Sequence, residues 1–300
     1  MKDLCVEVIN RMFGLLGFFE TLWRLFWAIV FPPKYLKNVD GQVILIAGVT
    51  SLSQGLAKRL AKRGAKLVFW DSNGDLLEDL SNEYDAEDME IIVQTVKMDS
   101  YAEVQKAAEY LSDHHKIEID ILVNATEIGH QVDWLKQEPE YIDEMININF
   151  KSCLWLTRTF IPKFIEKHSG HIVTISSTAA VTPTPHICEY SASQAGVVAF
   201  MKSVEVDMLA RGLNEIHFTT LCPSFVQSEF FKDAKFSGKS LWDRIEFDEA
   251  SDAMLNAVLT NQHLLIVPWQ DNLLSSLQMI LSPVSFYKVL ARRWQYPQSN

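Results

Sequence analysis

Short apolar segments alternate with helical segments through most of this 300-residue chain, and this alternation constrains the fold more than any other feature. The first apolar segment, Val43–Ile46, is continuous and ends in Ala47-Gly48, which is typical of a strand buried on both faces of a parallel sheet. The same pattern predicts further strands at residues 66–70, 91–96, 119–123, 171–175 and 216–221, with helices at about 53–63, 76–83, 102–114, 140–166 and 190–210. This order predicts right-handed βαβ crossovers and an α/β fold with a doubly wound parallel sheet.

Composition and charge exclude two kinds of partner. The formal net charge is −11 and the isoelectric point is near 5.2, whereas a nucleic-acid-binding face concentrates Lys and Arg. The four cysteines, Cys5, Cys153, Cys188 and Cys222, lie far apart, without a Cys-x-x-Cys pair or a zinc-like His spacing. We therefore expect no nucleic-acid partner and no metal site, and we interpret the cysteines as reduced thiols on the cytosolic side.

The N-terminus is dominated by large apolar residues from Leu4 to Phe31, and Pro32-Pro33 ends this segment. Roughly 20 apolar residues span a bilayer, but Glu20 and Arg24 interrupt the segment at i, i+4 spacing, which favours a helix lying in one leaflet. Two lysines follow and favour a cytoplasmic position for the folded part. Residues 1–37 are therefore predicted to form a hydrophobic membrane anchor, with a cleaved signal peptide or a soluble packing helix as alternatives.

The C-terminus contains an apolar and then basic region, made of Leu264–Val267, Leu273–Leu281 and Lys288–Trp294. This region predicts either a cationic-amphipathic membrane contact or an ordinary amphipathic helix that covers the edge of the sheet. The predicted organisation is an anchor at residues 1–37, one sheet-and-helix domain at 38–270 and an amphipathic tail at 271–300.

Ligands bind doubly wound sheets beyond the carboxyl ends of the strands, so the loop after the first strand is the first candidate site. Its sequence is Ala47-Gly-Val-Thr-Ser-Leu-Ser-Gln-Gly55, and it opens a helix, where dinucleotide sites bind a pyrophosphate. Gly48 allows close backbone approach, and the hydroxyls of Ser51 and Ser53 are candidate phosphate donors. Leu52 adds bulk at the same place. The alternative is a plain strand-to-helix turn.

Two aspartates follow the second and third predicted strands. Asp71 lies about 20 residues after the glycine loop, where a carboxylate accepts from an adenosine ribose 2′-hydroxyl and repels a 2′-phosphate. Asp99 lies where an adenine edge would be met. If a nucleotide binds, we therefore expect NAD over NADP. Capping of a helix or turn by these aspartates is the alternative.

Five further segments, taken in order, carry a resemblance to a known family. They are Ile121-Leu-Val-Asn124, Ile146-Asn-Ile-Asn-Phe150, Gly170-His-Ile-Val-Thr-Ile-Ser-Ser177, Tyr190-Ser-Ala-Ser-Gln194 and Cys222-Pro-Ser-Phe-Val226. In this order they resemble the short-chain dehydrogenase/reductase superfamily over residues 40–270. The resemblance implies a Rossmann-type fold and a nicotinamide cofactor.

The resemblance also implies a role for each matching position. Tyr190 takes the place of the acid/base, Ser177 orients the substrate oxygen, and Asn149 holds a proton-relay water. Cofactor contacts are implied at Asn124, Tyr190, Gln194, Pro223 and Val226. The alternative interpretation gives these positions structural roles only: Ser177 as a turn residue, Tyr190 as an aromatic residue at a helix start, and Asn149 as a buried polar group.

The chain departs from the family pattern where the family has a lysine. An alcohol proton must be taken by a base near neutral pH, whereas a free tyrosine has a pKa of about 10, so a nearby cation has to stabilise the phenolate. The family's lysine, one helical turn after the tyrosine, is here Gln194, which carries no charge. Lys202 is about 12 Å farther along the helix, too far to replace it. Glu127 places a carboxylate beside the nucleotide where the family has glycine.

Three features resemble the membrane-bound retinol and 17β-hydroxysteroid dehydrogenase branch of the family: the apolar N-terminus, Phe69-Trp-Asp71 and Val267-Pro-Trp269. This resemblance implies a lipophilic alcohol or ketone as substrate, or a lipid as ligand. It also implies attachment to the endoplasmic reticulum membrane or to lipid droplets, with the domain facing the cytoplasm. By analogy with the family, the chain is expected to form homo- or heterodimers through helices that include the one carrying Tyr190.

Two functions follow from these observations. The first is an oxidoreductase of retinoid- or steroid-like alcohols or ketones, impaired by Gln194 and working mainly in the reductive direction, where a protonated Tyr190 suffices as acid. The second is a catalytically silent relative that keeps the fold for lipid binding, for membrane association or for pairing with an active homologue. The retained Asn149, Ser177 and Tyr190 favour the first function. Gln194, Glu127 and Leu52 favour the second.

Overall fold

Seven parallel strands form one sheet in the computed structural model, which describes residues 22–23, 36–87, 89–130, 132–182, 184–224, 226, 245–278 and 281–293. The strands are β1 (Val43–Ala47), β2 (Lys66–Asp71), β3 (Ile91–Thr95), β4 (Ile121–Asn124), β5 (Gly170–Ile175), β6 (Ile216–Pro223) and β7 (Leu264–Val267). Their order across the sheet is β3-β2-β1-β4-β5-β6-β7, and each neighbouring pair is parallel. The predicted Rossmann-type α/β sheet is confirmed.

Helices connect the strands and cover both faces of the sheet. They are α1 (Ser51–Ala61), α2 (Gly74–Ala86), α3 (Tyr101–Tyr110), α4 (Pro139–Met145), α5 (Ser152–Glu166), α6 (Cys188–Ala210), α7 (Phe247–Leu259), α8 (Trp269–Leu277) and α9 (Pro283–Arg293). A wide π-helical segment, Ile146–Lys151, joins α4 to α5, so the helical stretch predicted at 140–166 is one run with a local change of pitch.

Two apolar cores, one on each face, explain why the strands are continuous apolar runs. Alternate side chains of a strand point to opposite faces of a sheet. On β2, Leu67 and Phe69 pack in the core formed with α1, α2 and α7, whereas Val68 and Trp70 pack in the core formed with α3, α5 and α6. Because helices cover both faces, neither face of the central strands needs polar residues.

The interpretation of one segment near the C-terminus was wrong. Leu264–Val267, interpreted from the sequence as part of a membrane contact or of an amphipathic helix at the sheet edge, is strand β7 and pairs with β6 from Thr220 to Pro223. Helix α7, which precedes it, was not predicted. A four-residue apolar run has no periodicity that separates a buried strand from other apolar segments, which is the reason for the error. In the tail itself, α9 buries Phe286 and Leu290.

The predicted membrane anchor at residues 1–37 lies outside the described residues, apart from 22–23 and 36–37. Within the described ranges, no helix combines the length and the hydropathy that a bilayer span requires. The anchor therefore stays a prediction from the sequence.

Lys37 attaches the start of the domain to the amino-terminal edge of the sheet. Its backbone N–H donates to the carbonyl of Leu259 at 2.9 Å, and its Nζ contacts Nδ1 of His171 on β5. Nε2 of His171 lies 2.9 Å from Oγ1 of Thr219 on β6. Burial lowers the pKa of Lys37 to about 7 and, with the charge of Lys37, holds the pKa of His171 well below its ordinary value, so at neutral pH the imidazole is neutral and Lys37 is close to half-protonated.

Candidate active site

The loops that follow β4 and β5 meet the first turn of α6 at the carboxyl edge of the sheet. Tyr190 lies in that turn, is 3% exposed and packs with Met145, Ala179 and Ile187. Ser177 comes two residues after β5, where its Oγ accepts from the N–H of Ala179 at 3.1 Å. The strand order reverses direction between β1 and β4, and this is the position where doubly wound sheets bind ligands.

Glu127 is in direct contact with Tyr190. The hydroxyl of Tyr190 donates a hydrogen bond to Oε2 of Glu127 at 3.0 Å, although the two residues are 63 positions apart. Glu127 follows β4 in a loop that begins at Ala125, whose N–H donates to the carbonyl of Ala47 at 2.7 Å. The β4 loop is thereby attached to the end of β1, and its carboxylate is directed to the tyrosine.

The electrostatics of this pair keep the proton on the tyrosine. Burial raises the pKa of Tyr190 well above its ordinary value, and the charge of Glu127 and the hydrogen bond to Glu127 raise it further, against a smaller effect of Ser177. Burial also raises the pKa of Glu127 to about 7, and the hydrogen bond from Tyr190 opposes this rise. At neutral pH Tyr190 is therefore protonated and Glu127 is close to half-ionised, so the pair favours giving a proton over taking one.

Asn149 lies on the π-helical segment between α4 and α5 and is 2% exposed. Its Oδ1 accepts from the N–H of Ile128 at 2.7 Å, and its Nδ2 donates to the carbonyl of Ile128 at 2.9 Å and to Oγ of Ser193 at 3.0 Å. The amide thus fixes the residue next to Glu127 and connects it to α6. π-helical turns are frequent at functional sites, because they change the direction of a single side chain within a helix.

Gln194 follows Tyr190 by one turn of α6, as the sequence predicted, and is 1% exposed. Its Oε1 is buried and makes no hydrogen bond with the described residues. A buried acceptor without a donor is costly in a folded protein, and functional sites are one place where such groups persist. A hydroxyl group of a ligand would satisfy this oxygen.

The loop between β1 and α1 is tightly packed against the β4 loop. Gly48 has a φ of +99°, and a Cβ at this position would lie 2.6 Å from the backbone of Ala125. Its predicted close backbone approach is therefore made to the protein's own β4 loop. The N–H of Ser53 donates to Oγ1 of Thr50 at 3.2 Å, and the N–H of Thr50 donates to Oγ of Ser53 at 2.8 Å. Thr50 thus caps α1, and Ser53 completes the capping box from a buried position, whereas Ser51 is exposed at the first residue of the helix.

Asp71 ends β2 beside the same loop. Its Oδ2 accepts from the N–H of Val49 at 2.8 Å, and its Oδ1 accepts from the N–H of Asn73 at 2.9 Å. A carboxylate oxygen can accept more than one hydrogen bond, so this contact leaves capacity for a further donor. Asp99 is exposed in the loop after β3.

The other predicted cofactor residues have different surroundings. The side chain of Asn124 is directed into the core, where its Nδ2 lies 3.4 Å from Oγ1 of Thr157 on α5 and 3.3 Å from Oγ1 of Thr174 on β5. Pro223 is buried at the end of β6. Val226 is 3% exposed and forms an isolated parallel bridge with Ile245.

Two contacts of the site were not predicted from the sequence, namely the bond between Tyr190 and Glu127 and the bonds between Asn149 and Ile128. The sequence showed Glu127 as a departure from the family pattern, but not its partner. A usable indication was present, because Glu127 and Ser177 follow strands that are neighbours in the predicted family topology, and their loops meet at one edge of the sheet.

Comparison with known proteins defines the family of this site. The family model described as short chain dehydrogenase matches residues 42–237, which include every strand from β1 to β6. The chain is a member of the short-chain dehydrogenase family. The resemblance found in the sequence is thereby confirmed, and Tyr190, Ser177 and Asn149 all lie within the matched residues.

Curated short-chain dehydrogenases similar to this chain include two named for steroid substrates. Estradiol 17-beta-dehydrogenase 11 of Rattus norvegicus is 28% identical over 87% of this chain and 86% of its own length. The 17-beta-hydroxysteroid dehydrogenase 13 of Homo sapiens is 27% identical over 93% of this chain and 91% of its own length. The chain is therefore an oxidoreductase-family protein related to the 17-beta-hydroxysteroid dehydrogenase branch.

Solved structures show the same fold. A short-chain dehydrogenase/reductase from Burkholderia phymatum, in complex with NAD, has a TM-score of 0.72 and 18% identity, and the match covers 88% of this chain and 100% of that chain. A gluconate 5-dehydrogenase from Burkholderia cenocepacia J2315, in complex with NADP and tartrate, has a TM-score of 0.67 and 21% identity, covering 77% and 94% of the two chains.

Proposed function

We propose that this protein is a nicotinamide-dependent oxidoreductase of lipophilic ketones and alcohols that works mainly as a reductase. The observation that carries the proposal is the hydrogen bond of Tyr190 to Glu127, which keeps the tyrosine hydroxyl protonated at the reacting end of the sheet. A protonated tyrosine is the acid that carbonyl reduction needs. The names of the 17-beta-dehydrogenase relatives support a steroid-like substrate class.

The residues of the site fit a nicotinamide dinucleotide. The buried Oε1 of Gln194 is an acceptor for a hydroxyl donor such as a ribose, one turn from Tyr190. Asp71 offers a carboxylate at the end of β2, where an adenosine ribose is bound in this fold. Ser51 is exposed at the amino end of α1, the end of a helix that favours phosphate. Asp71 also supports NAD over NADP, because its charge would repel a 2′-phosphate.

The bound nicotinamide would supply the hydride that reduces a carbonyl carbon. Tyr190 gives its proton to the carbonyl oxygen as negative charge develops there, and Ser177, whose hydroxyl lowers the pKa of Tyr190, would hold the same oxygen. Met145, Ala179 and Ile187 surround the tyrosine ring with apolar surface, which excludes water and suits a lipophilic substrate.

One sequence feature and two exposed apolar surfaces extend the proposal to membrane attachment and pairing. The apolar segment from Leu4 to Phe31 supports attachment to the endoplasmic reticulum membrane or to lipid droplets, with the domain on the cytoplasmic side. The exposed Trp269, Val284 and Tyr287 of α8 and α9 support a second apolar contact near the C-terminus. Exposed Val206 and Leu209 on α6 support pairing with a second copy or with a homologue.

The test is turnover of NADH and NADPH by the full-length protein with a panel of retinoid and steroid ketones. Replacing Tyr190 with Phe removes the proton donor, so we expect reduction to fall by about 100-fold or more. Tyr141→Phe is the matched control, because Tyr141 packs against the same apolar cluster. Wild-type reduction that survives Tyr190→Phe, or the absence of nucleotide binding by calorimetry at millimolar concentration, would contradict the proposal.

One observation favours a second candidate, a catalytically silent member of the family that binds lipids or partners. Glu127 already accepts the hydrogen bond that Tyr190 would otherwise offer to a substrate oxygen, and Gln194 carries no charge. If this candidate is correct, the wild type turns over none of the substrates. The double variant Glu127→Gly with Gln194→Lys, which restores the family residues at both positions, would then gain activity.

A further inference from the structure

The proposed reduction gives Glu127 no role, although three of its properties suit a role in proton transfer. It is hydrogen-bonded to the hydroxyl that protonates the substrate, at 3.0 Å. The residue as a whole is half-buried, whereas its carboxyl group lies beside Tyr190 in surroundings buried enough to raise its pKa. It lies in a site whose family lysine position is occupied by the neutral Gln194. Because no lysine is present at this position to stabilise a Tyr190 phenolate, the tyrosine needs a group that replaces its proton.

We propose that Glu127 is the proton-relay residue of this site. It passes a proton to Tyr190 while Tyr190 protonates the substrate carbonyl, and it takes the proton back when the reaction runs towards the ketone. This inference rests on the proposed function, and it assigns to a carboxyl group the task that the family gives to a lysine.

Each bond in the reductive step is accounted for. A hydride from the reduced nicotinamide forms the new C–H bond at the carbonyl carbon, and the O–H bond of Tyr190 breaks as its proton joins the carbonyl oxygen. The O–H bond of the protonated Glu127 carboxyl group breaks at the same time, and its proton restores the Tyr190 hydroxyl. Glu127 is left as a carboxylate and regains a proton from water. In the oxidative direction every transfer is reversed, with an oxidised nicotinamide as the hydride acceptor.

The relay removes the need for a stabilised phenolate. Burial and the nearby carboxylate make a negative Tyr190 costly, as the raised pKa of Tyr190 shows. When both protons move together, the negative charge appears on Glu127, whose pKa lies far below that of Tyr190. Glu127 also has a pKa of about 7, so both of its protonation states are populated near neutral pH, as an efficient proton carrier requires.

The titratable surroundings of the pair are few among the described residues. Tyr190 on α6 is the titratable group that acts on the pKa of Glu127. Cys222 at the end of β6 adds to the pKa of Tyr190. Tyr141 on α4 packs against the same cluster, and its own pKa is raised by burial and by the charges of Glu144 and Glu189. His130 lies in the same loop as Glu127, with its ring centroid 4.4 Å from that of Tyr141, so the pH profile of a His130→Gln variant separates any contribution of His130 from that of Glu127.

The first experiment compares the pH profile of ketone reduction in the wild type, in Glu127→Gln and in Glu127→Asp. Reduction needs protonated Glu127, so the wild-type kcat should fall as the pH rises through about 7. Glu127→Gln keeps an acceptor for Tyr190 but has no proton to pass on, so we expect a loss of about 10- to 100-fold and a profile without this limb. Glu127→Asp should keep the limb at a reduced rate. Glu189→Gln removes the same charge one residue from Tyr190 and should leave the profile unchanged.

The second experiment needs no turnover. Difference infrared spectroscopy of the protein without nucleotide should show a carboxyl group that loses its proton near pH 7 in the wild type and in Glu189→Gln, but not in Glu127→Gln. The relay is overturned if this band is absent in the wild type. It is also overturned if Glu127→Gln reduces ketones as fast as the wild type with the same pH profile.

Failure of the relay can be told apart from failure of the proposed function. If ketone reduction depends on Tyr190 but is unchanged in Glu127→Gln, the proposed reductase function stands and the relay is overturned. A wild type that binds no nucleotide and reduces no ketone loses both.

Discussion

The buried amide of Asn149 controls the backbone beside Glu127. Asn149 binds both the N–H and the carbonyl of Ile128, and its third hydrogen bond joins Ser193 on α6. The N–H and the carbonyl of Ile128 belong to the two peptide groups that flank its Cα, so neither group can rotate without breaking a hydrogen bond to Asn149. The position of the Glu127 carboxylate next to Tyr190 therefore depends on a residue that acts only on the neighbouring backbone.

Asn149→Ala removes all three hydrogen bonds and leaves the part-buried N–H and carbonyl of Ile128 without this partner. We expect the free energy of unfolding to fall by about 1 to 3 kcal/mol, because hydrogen bonds of this kind contribute about 1 kcal/mol each and a buried group left unsatisfied costs more. Urea unfolding followed by circular dichroism measures the loss. Asn147→Ala is the control from the same π-helical segment, since Asn147 bonds to Lys151 at the surface. Equal effects of the two substitutions would show that the Ile128 contacts do not stabilise the fold.

Individual site residues could be predicted only as far as local patterns describe them. Tyr190, Ser177 and Gln194 each lie in a short segment with a recognisable order of residue types, so their positions followed from the sequence. The hydrogen bond to Glu127 depends instead on where two loops come to lie across 63 residues of chain, and on a side-chain direction that no local pattern encodes. Ser53 shows the same limit, because a serine at the start of a helix suits a phosphate or a cap equally well.

Among the elements, β1 and β4 depend on the missing side chain of Gly48. This residue lies at the end of β1 with a φ of +99°, and its Cα faces the backbone of Ala125 so closely that a methyl group would lie 2.6 Å away. Backbone atoms cannot move aside as a flexible side chain can. The register of the two loops at the carboxyl edge is thus set by a glycine that serves packing inside the protein.

Gly48→Ala should destabilise the fold far more than the same change at Gly212. Gly212 also has a positive φ, of +76°, but a Cβ there meets nothing within 4 Å, so the expected loss is about 1 to 2 kcal/mol from backbone strain alone. At Gly48 the clash adds to the strain, and we expect a loss of about 3 kcal/mol or more. Thermal unfolding of the two variants makes the comparison. Similar melting temperatures would mean that the β4 loop moves away at little cost.

The accuracy of the predicted elements follows the residues that flank them. Strands β1, β2 and β5 and helix α6 agree closely with prediction, because their apolar patterns lie between clear turn residues. Strand β7 has four residues, two of them only half-buried, and this pattern does not differ from that of a surface contact. The strand is defined by its pairing with β6, a tertiary contact that the local sequence does not encode.

At the scale of the whole molecule, the proposed membrane attachment can be separated from the fold. Deletion of residues 1–33 leaves Lys37 and its contacts with Leu259 and His171 in place, so the domain should keep its circular dichroism spectrum. We expect the shortened protein to leave the membrane fraction on centrifugation, because the Leu4–Phe31 segment supplies the apolar surface. An unchanged distribution would assign the attachment to the C-terminal helices instead.

Lys37 also sets the direction in which a tethered domain would face. It contacts His171 near the amino end of β5, whereas Tyr190 and Glu127 lie at the carboxyl edge, and a five-residue strand such as β1 is roughly 16 Å long. In a domain attached to a membrane near Lys37, the reaction centre would lie at the edge of the sheet opposite the attachment. A substrate dissolved in a bilayer would then reach the tyrosine only when the whole domain rotates about its attachment, so the freedom of that rotation would govern the rate of substrate capture.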